Sequence, residues 1–335
     1  MSAARSRPGA VQDAVIALDL GGTKLAGALF GADDQPVDKR SVALDGRQGT
    51  AVAELIVREV RQLVDAAASR QLCVRTVGVC VPGVVQTRTG RVWAPNIPDW
   101  DDYPLRDEIT AAVADLKIQV VVDNDRAASV VGEAWQGAAR GLSHAIFLTV
   151  GTGIGAGILV EGRVLDGAHG IAGAIGWLAL NRPYRSEYNA CGCFESQASG
   201  DGLAKVARAL LAENHAYRGA LRAKTGITAR DVFDGAKHGD DLAQQVLQQA
   251  VQFWGMASAN LVSLFNPEMI VFGGGVFGPA TPWLGAVATE ARRWAQPVAI
   301  DRVRFEPSQL GGDAALYGAA YLARYGRPAP PAEPK

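Results

Sequence analysis

The sequence predicts an α/β protein of two lobes, built as a duplicated fold with a cleft between the lobes. Its 335 residues exceed one ordinary core and suit two. Two similar segments, Asp19-Leu-Gly-Gly-Thr23 and Thr149-Val-Gly-Thr-Gly153, each place a Gly/Thr turn after an apolar strand-like run. Helical and strand-like runs alternate around both segments. This arrangement is typical of a duplicated α/β lobe.

The first half opens with a predicted hairpin, because the apolar run Val15 to Leu20 breaks at Gly21-Gly22 and resumes from Lys24 to Phe30. Apolar residues at helical spacing then predict a helix, and two short β-rich runs predict buried strands. The acidic group Asp123-Asn-Asp125 separates the last strand from a further helix. The predicted ranges are Val52 to Ala68 (helix), Thr76 to Val81 and Ile118 to Val122 (strands), and Arg126 to Gly137 (helix).

The second half repeats this start, with a strand from His144 to Val150 and a glycine turn within Gly151 to Gly157. Another buried strand, Met269 to Phe272, precedes Gly273-Gly274-Gly275. The further predicted helices are Gly202 to Glu213, Leu242 to Phe265 and Trp283 to Ala295.

The predicted domains follow from these elements and from the composition of the ends. They are a tail at 1–11, an N-terminal lobe at 12–124, a C-terminal lobe at 125–311, a helix at 312–327 returning to the N-terminal lobe, and a tail at 328–335.

Composition excludes several function classes. A formal net charge of -1 without a basic cluster argues against nucleic acid as a partner. No apolar run approaches the ~20 residues of a membrane span, and the start lacks the apolar core of a secretory signal, so we expect a cytoplasmic protein. Four cysteines in a chain of this size do not indicate a disulfide framework.

Both glycine turns are candidate phosphate sites, because glycine lets backbone N–H groups approach charged oxygens. Each turn alone is equally consistent with a plain hairpin, whereas the two together favour a clamped phosphate chain. Asp19, beside the first turn, is a candidate to hold Mg²⁺ through water, or else a turn-capping residue. The candidate nucleotide residues at these two turns are Asp19, Gly21, Gly22, Thr23, Lys24, Gly151, Thr152 and Gly153.

An ordered set of motifs from Ile16 to Tyr325 resembles the ROK family of sugar kinases and related repressors. The motifs are Leu18-Asp-Leu-Gly-Gly-Thr-Lys24, Val81-Pro-Gly83 with Ala94-Pro-Asn96, Asp123-Asn-Asp125 with Gly132-Glu133, Thr149-Val-Gly-Thr-Gly-Ile-Gly155, Gly170-Ile-Ala-Gly173, Gly192-Cys-Phe-Glu195 and Phe272-Gly-Gly-Gly275.

The resemblance implies an actin/hexokinase-like (ribonuclease H-like) fold, ATP and Mg²⁺ as cofactors, and a homodimer. It implies that Asp125 is the general base, that Asn124 holds sugar hydroxyls beside it, and that Gly83, Asn96 and Glu195 contact the sugar. It also implies that the adenosine part of the nucleotide lies over the turn Gly273-Gly274-Gly275. A carboxylate at a strand end suits this role, because it can orient an alcohol towards the γ-phosphoryl group and accept its proton. The alternatives are a helix N-cap cluster for residues 123–125 and a first-turn helix carboxylate for Glu195.

The sequence departs from the family pattern at two sugar contacts. Where the family has Ala-Gly-Glu-Ile-Gly-His, this chain has Ala172-Gly-Ala-Ile-Gly-Trp177. Ala174 and Trp177 therefore favour a substrate with less to hydrogen-bond there, or one whose ring stacks on the indole. Trp177 is equally consistent with a core residue.

The family zinc site is incomplete in this chain. The resemblance implies a His and three Cys ligands, whereas only Cys191 and Cys193 match, with His169 as a nearby substitute in sequence. A structural zinc needs four ligands, so no zinc is expected here.

Two functions remain open from the sequence. The first is ATP-dependent phosphorylation of a hexose or N-acetylhexosamine hydroxyl, at the 6-position by resemblance. The second is a catalytically weak sugar sensor on the same fold. Only 14 residues precede Val15, too few for the helix-turn-helix that family repressors carry.

Overall fold

The computed structural model describes residues 12–328, and the predicted tails at 1–11 and 329–335 lie outside these described residues. The chain divides into two compact units. The first holds residues 12–135, 168–170 and 313–328, and the second holds residues 136–167 and 171–312.

The first unit is built on a sheet with the strand order β3-β2-β1-β4-β7. Strands β1 and β2 form the predicted hairpin, and β1, β4 and β7 run parallel. Between β4 and β7 in the chain, β5 and β6 form a separate, short antiparallel pair. The strands are β1 (Gln12–Leu20), β2 (Lys24–Phe30), β3 (Pro36–Ala43), β4 (Leu72–Val81), β5 (Val84–Gln86), β6 (Arg91–Trp93) and β7 (Gln119–Asn124).

The helices of this unit cover both faces of its sheet. The first three of these helices are α1 (Thr50–Ser69), α2 (Leu105–Ala112) and α3 (Asp125–Gln136). Ile16 and Leu18 of β1 pack in a core with the apolar side of α1, whereas Ala17 belongs to a second core on the opposite face. The apolar run of β1 is therefore continuous rather than alternating, because neither of its faces meets water.

The second unit repeats the same sheet. Its strand order is β10-β9-β8-β11-β12, with β8 and β9 as an antiparallel hairpin and β8, β11 and β12 parallel. The strands are β8 (Ala145–Val150), β9 (Ile154–Val160), β10 (Arg163–Val164), β11 (Met269–Gly273) and β12 (Arg304–Pro307). The two sheets share order and direction strand by strand, which confirms the predicted duplicated α/β fold.

Helices of the second unit pack into a core of their own, centred on α7 and including the fully buried Trp254. They are α4 (Cys193–Ala198), α5 (Gly200–Glu213), α6 (Ala229–Lys237), α7 (Asp241–Phe265), α8 (Phe277–Ala280), α9 (Leu284–Trp294) and α10 (Pro297–Ile300). Within residues 12–328, no helix is long and apolar enough to cross a membrane.

The last helix, α11 (Ala314–Tyr325), belongs to the first unit, where Ala319 and Leu316 complete the second core of the sheet. The first unit also includes most of α3, up to Trp135. The sequence placed the lobe boundary after residue 124, which is 11 residues before this division. The difference arises because α3 packs against α11 through Gly132 and Gly318.

Candidate active site

The Asn124-Asp125 loop joins the end of β7 to the start of α3. Asn124 Oδ1 accepts a hydrogen bond from the backbone N–H of Ala127 at 2.8 Å. Asn124 therefore caps the helix, which is the geometry that the N-cap interpretation predicted for this group. Asp125 is the first helical residue, so its carboxylate lies in the first turn, at the positive end of the helix dipole.

The protonation of Asp125 is set by opposing effects. Burial raises the pKa of the Asp125 carboxyl above its usual value, while the neighbouring Arg126 charge and backbone N–H groups lower it. The pKa of Asp19 is also raised, to about 7, by burial and by the Asp125 and Asp313 charges, against the opposing charge of Lys24. The two carboxyls are thus electrostatically coupled within one unit.

The predicted sugar loop and first phosphate turn lie in the same unit as Asp125. The Gly83 carbonyl accepts a hydrogen bond from Arg126 Nη2 at 3.1 Å, which connects the loop to the start of α3. A Cβ on Gly22 would stand 3.5 Å from Asn96 Nδ2, so the Asn96 amide lies beside the phosphate turn. Gly22, Thr23 and Lys24 are exposed there. The turn is closed by the Gly21 N–H, which donates to the Lys24 carbonyl at 2.9 Å.

The second predicted phosphate turn, Gly151–Gly153, borders a cavity of about 1050 Å³ within the second unit. Gly151 N–H donates to the Gly153 carbonyl at 2.9 Å, and the Gly151 carbonyl accepts from Gly200 N–H at 2.7 Å. The turn is therefore fixed to the start of α5. The cavity is lined by residues that include Gly151, Thr152, Gly153, Glu195, Lys205 and Gly275.

Glu195 fixes the end of this turn. It lies in the first turn of α4, as the structural alternative predicted, and its Oε2 accepts from the Ile154 N–H at 2.6 Å. Burial raises the pKa of the Glu195 carboxyl, while the Ile154 hydrogen bond lowers it. Its carboxylate is thus engaged with the strand that follows Gly153.

The three predicted glycines after β11 have different surroundings. Gly273 is the buried last residue of β11, and a Cβ there would stand 2.3 Å from the Phe147 ring. A Cβ on Gly274 would stand 2.4 Å from the Val150 carbonyl oxygen. Gly275 is exposed and lines the cavity, whereas Gly273 and Gly274 are not among its lining residues.

Trp177 is exposed over 57% of its surface, which rules out the core interpretation. It ends a short 3₁₀ helix that packs against Gly192, because a Cβ on Gly192 would stand 2.6 Å from the Trp177 Cα atom. Cys191 lines the cavity and Cys193 is buried. Among residues 12–328, no group of three or more His, Cys, Asp or Glu side chains is placed to hold a metal ion.

Sequence reasoning missed the cations near these groups. Lys205 and Arg208 lie three residues apart on α5 and line the cavity, so the i,i+3 spacing of basic residues on a predicted helix was an available signal. The Arg126 charge lowers the pKa of Asp125. An anion was missed as well, because the Asp313 charge raises the pKa of Asp19 from far along the chain. No sequence motif marks Asp313.

The chain is similar to proteins of known name over nearly its whole length. It is 32% identical over 318 residues to the glucokinase of Halalkalibacterium halodurans, covering 92% of this chain and 94% of that protein. The structure of a ROK family glucokinase from Streptomyces griseus, in complex with glucose and AMPPNP, matches with a TM-score of 0.74 and 29% identity. That match covers 93% of this chain and all of the other.

Regulators are also among the similar proteins. The xylose repressor of Caldicellulosiruptor bescii is 32% identical over 202 residues, which cover 59% of this chain and 49% of the repressor. A family model described as "ROK family" matches residues 15–325. With the duplicated sheets, the two glycine turns and the Asn124-Asp125 loop all in place, the chain belongs to the ROK family.

Proposed function

We propose that this chain, a sugar kinase, transfers the γ-phosphoryl group of ATP to a hydroxyl of a hexose or N-acetylhexosamine. The observation that carries the proposal is the Asn124-Asp125 loop, with a carboxylate of raised pKa in the first turn of α3. Similarity to named glucokinases over 92% of the chain supports the same reaction class.

Asp125 is the proposed general base. The sugar hydroxyl oxygen forms a bond to the γ-phosphorus while the bond from that phosphorus to the β,γ-bridging oxygen breaks, and ADP leaves. The hydroxyl proton passes to the Asp125 carboxylate. Because burial raises the pKa of this carboxyl, its ionised form is a stronger base than an ordinary aspartate. Asn124 and Asn96 are the proposed hydrogen-bonding partners of the sugar.

The acidic groups of the first unit fit a magnesium ion. Burial and the Asp125 charge raise the pKa of Asp19 to about 7, so a bound cation would stabilise its ionised form. Carboxylate oxygens are ligands that Mg²⁺ prefers. Asp19 would hold the ion through water, and bound Mg²⁺ would offset the charge of the phosphates.

The cavity of the second unit fits a nucleotide. Its glycine turn offers backbone N–H groups, Lys205 offers a positive charge, and Ile227 and Phe233 offer an apolar wall. We assign the phosphate contacts to Gly151, Thr152 and Gly153. Gly275 is assigned to the adenosine part, since it is the one of the three predicted glycines that lines this cavity.

Ala174 and Trp177 favour a sugar that has few groups to hydrogen-bond at this position, or one whose ring stacks on the indole. An exposed indole offers a flat apolar face to a sugar ring, and Ala174 offers no hydrogen bond. Phosphorylation at the 6-hydroxyl and a homodimeric assembly remain proposals from the family resemblance. Light scattering of the purified protein would test the dimer.

The alternative is a sugar sensor with weak catalysis. It is favoured by the Ala174 and Trp177 departures and by the similarity to a xylose repressor. A sensor of this kind would bind sugar and nucleotide without turnover.

A coupled ADP-release assay with Mg·ATP and a panel of hexoses and N-acetylhexosamines tests the proposal. We expect turnover on at least one sugar, with formation of its phosphate ester. Sugar binding by calorimetry without turnover on any sugar would instead support the sensor.

A further inference from the structure

An ion pair lies immediately before the Asn124-Asp125 loop. Asp123 is the residue of β7 next to Asn124, and its side chain is 2% exposed. Arg327, two residues past the end of α11, contacts it with two hydrogen bonds. Its Nε donates to Oδ2 at 2.8 Å and its Nη2 donates to Oδ1 at 2.6 Å. Two parallel contacts between planar groups fix orientation as well as distance.

A continuous set of hydrogen bonds leads from this ion pair to the start of α3. Asp123 Oδ1 accepts from the Asn124 backbone N–H at 2.8 Å and lies 3.4 Å from Asn124 Nδ2. Asn124 Oδ1 in turn accepts from Ala127 N–H at 2.8 Å. Asp125 lies in the chain between Asn124 and Ala127, the two residues that this capping hydrogen bond joins. The orientation of the Asp123 carboxylate therefore constrains the backbone that carries Asp125.

Helix α11, which ends two residues before Arg327, packs closely against α3 and β4. A Cβ on Gly318 of α11 would stand 1.8 Å from the Ala128 carbonyl oxygen of α3. A Cβ on Gly78 of β4 would stand 2.1 Å from the Ala319 carbonyl oxygen. Helix α11 thus contacts the backbone of its neighbours, and Arg327 extends from a helix with little freedom to shift.

We propose that Arg327 is a positioning residue for the catalytic base, acting through Asp123 and Asn124 to hold Asp125 at its working orientation. The inference rests on the proposed kinase function and adds to it a residue that lies outside every recognised motif. Reaction rates depend steeply on such placement, since a shift of about 1 Å can cost about 100-fold.

The pair affects stability as well as orientation. Replacing both partners of a buried ion pair by neutral groups is often neutral or stabilising, whereas removing Arg327 alone leaves the buried Asp123 carboxylate without this partner and lowers stability. The kcat of each variant is therefore compared well below its melting temperature. Lysine would keep the charge of Arg327 but lose the two-point contact with the carboxylate. The guanidinium is therefore the part of the residue that the inference requires.

Arg327→Gln and Arg327→Lys test the inference against a matched control. Arg324 is also at the end of α11, where its Nε lies 3.0 Å from Asp34 Oδ1, and this ion pair does not contact the loop. We expect Arg327→Gln to lower kcat about 10- to 100-fold, with the KM for ATP unchanged. Arg327→Lys should recover only part of the loss. Arg324→Gln should lower the melting temperature without this loss of kcat.

Amide hydrogen exchange provides a readout that does not need turnover. In Arg327→Gln we expect faster exchange at Asn124 and Ala127, with the centre of α7 unchanged. A wild-type protein inactive on every sugar would overturn the proposed function, while faster exchange at these amides would still support the positioning of the loop. Unchanged exchange there, or a kcat loss no larger than that of Arg324→Gln, would overturn the inference.

Discussion

The pKa of the Asp19 carboxyl is raised from 3.8 to about 7. A carboxyl with a raised folded-state pKa contributes stability below its unfolded pKa and loses that contribution as pH rises through the folded value. The loss should therefore occur between about pH 4 and pH 7. Asp19→Asn has no carboxyl to ionise and should escape it.

Thermal unfolding of wild type and Asp19→Asn between pH 4 and pH 8, without nucleotide or Mg²⁺, measures this effect. The melting temperature of Asp19→Asn should rise relative to wild type as the pH increases. Asp101→Asn, at an exposed loop position, is the control and should show no such trend. A constant difference between Asp19→Asn and wild type would contradict the assigned pKa.

Glu195 has two candidate roles that kinetics can separate. The family resemblance assigns it to the sugar, whereas its hydrogen bond to Ile154 N–H connects it to the Gly151–Gly153 turn. From the geometry we expect Glu195→Ala to raise the KM for ATP, because the turn loses an acceptor that fixes its end. Initial rates with each substrate varied in turn distinguish the roles. A change confined to the KM for the sugar would favour the resemblance.

Sequence motifs predicted the candidate base and both turns because those residues are contiguous in the chain. Arg327 and Asp313 could not be found in this way, since they act on Asp123 and Asp19 from the far end of the sequence. Trp177 was ambiguous because its apolar character fits a core and a binding surface equally. Its exposure excludes the core, and contact with the sugar stays a prediction.

Helix α11 packs so closely against α3 that there is no space for a side chain at Gly318. Gly318→Ala would place a methyl group 1.8 Å from the Ala128 carbonyl oxygen, so one backbone must move. We expect a loss of at least about 1–3 kcal/mol, the usual cost of overpacking. Gly285→Ala in α9 is the matched control, because a Cβ there meets nothing within 4 Å.

Denaturant unfolding of these two glycine variants provides the comparison. Gly285→Ala should be neutral or slightly stabilising, since alanine favours a helix over glycine. Equal stability of the two variants would contradict the close packing of α11.

Elements with a continuous apolar pattern were predicted well, and polar elements were not. Strand β2 and helix α7 match the predicted ranges within a residue, because their apolar residues are dense. Strand β3 was missed, as its half-buried and exposed positions alternate through charged residues such as Lys39. Helix α6 was missed although Thr228 and Asp231 form a capping box at its start.

At the scale of the whole molecule, each unit has a hydrophobic core of its own and should respond to its own ligand. Mg·AMPPNP should slow hydrogen exchange most at the second-unit backbone around Gly151–Gly153 and Gly200. At a ligand concentration of 100 times Kd, the gain in stability should be about 2.7 kcal/mol. Exchange mass spectrometry with and without the nucleotide locates the effect, and protection confined to α1 and α2 would contradict the assigned cavity.

The duplication was visible in the sequence because both hairpins keep their Gly/Thr turn. The division between units was less visible, because the packing of α3 on α11 depends on contacts between residues nearly 200 positions apart, such as Ala128 and Gly318. Patterns of neighbouring residues in the sequence do not reveal contacts between residues so far apart in the chain.

Steady-state kinetics of Asp125→Asn on the best sugar of the panel tests the central claim most directly. Loss of the base should lower kcat by about 100- to 10,000-fold, with nucleotide binding retained by calorimetry and Asp101→Asn unchanged. A variant that keeps wild-type kcat would contradict the assignment of Asp125 as the general base.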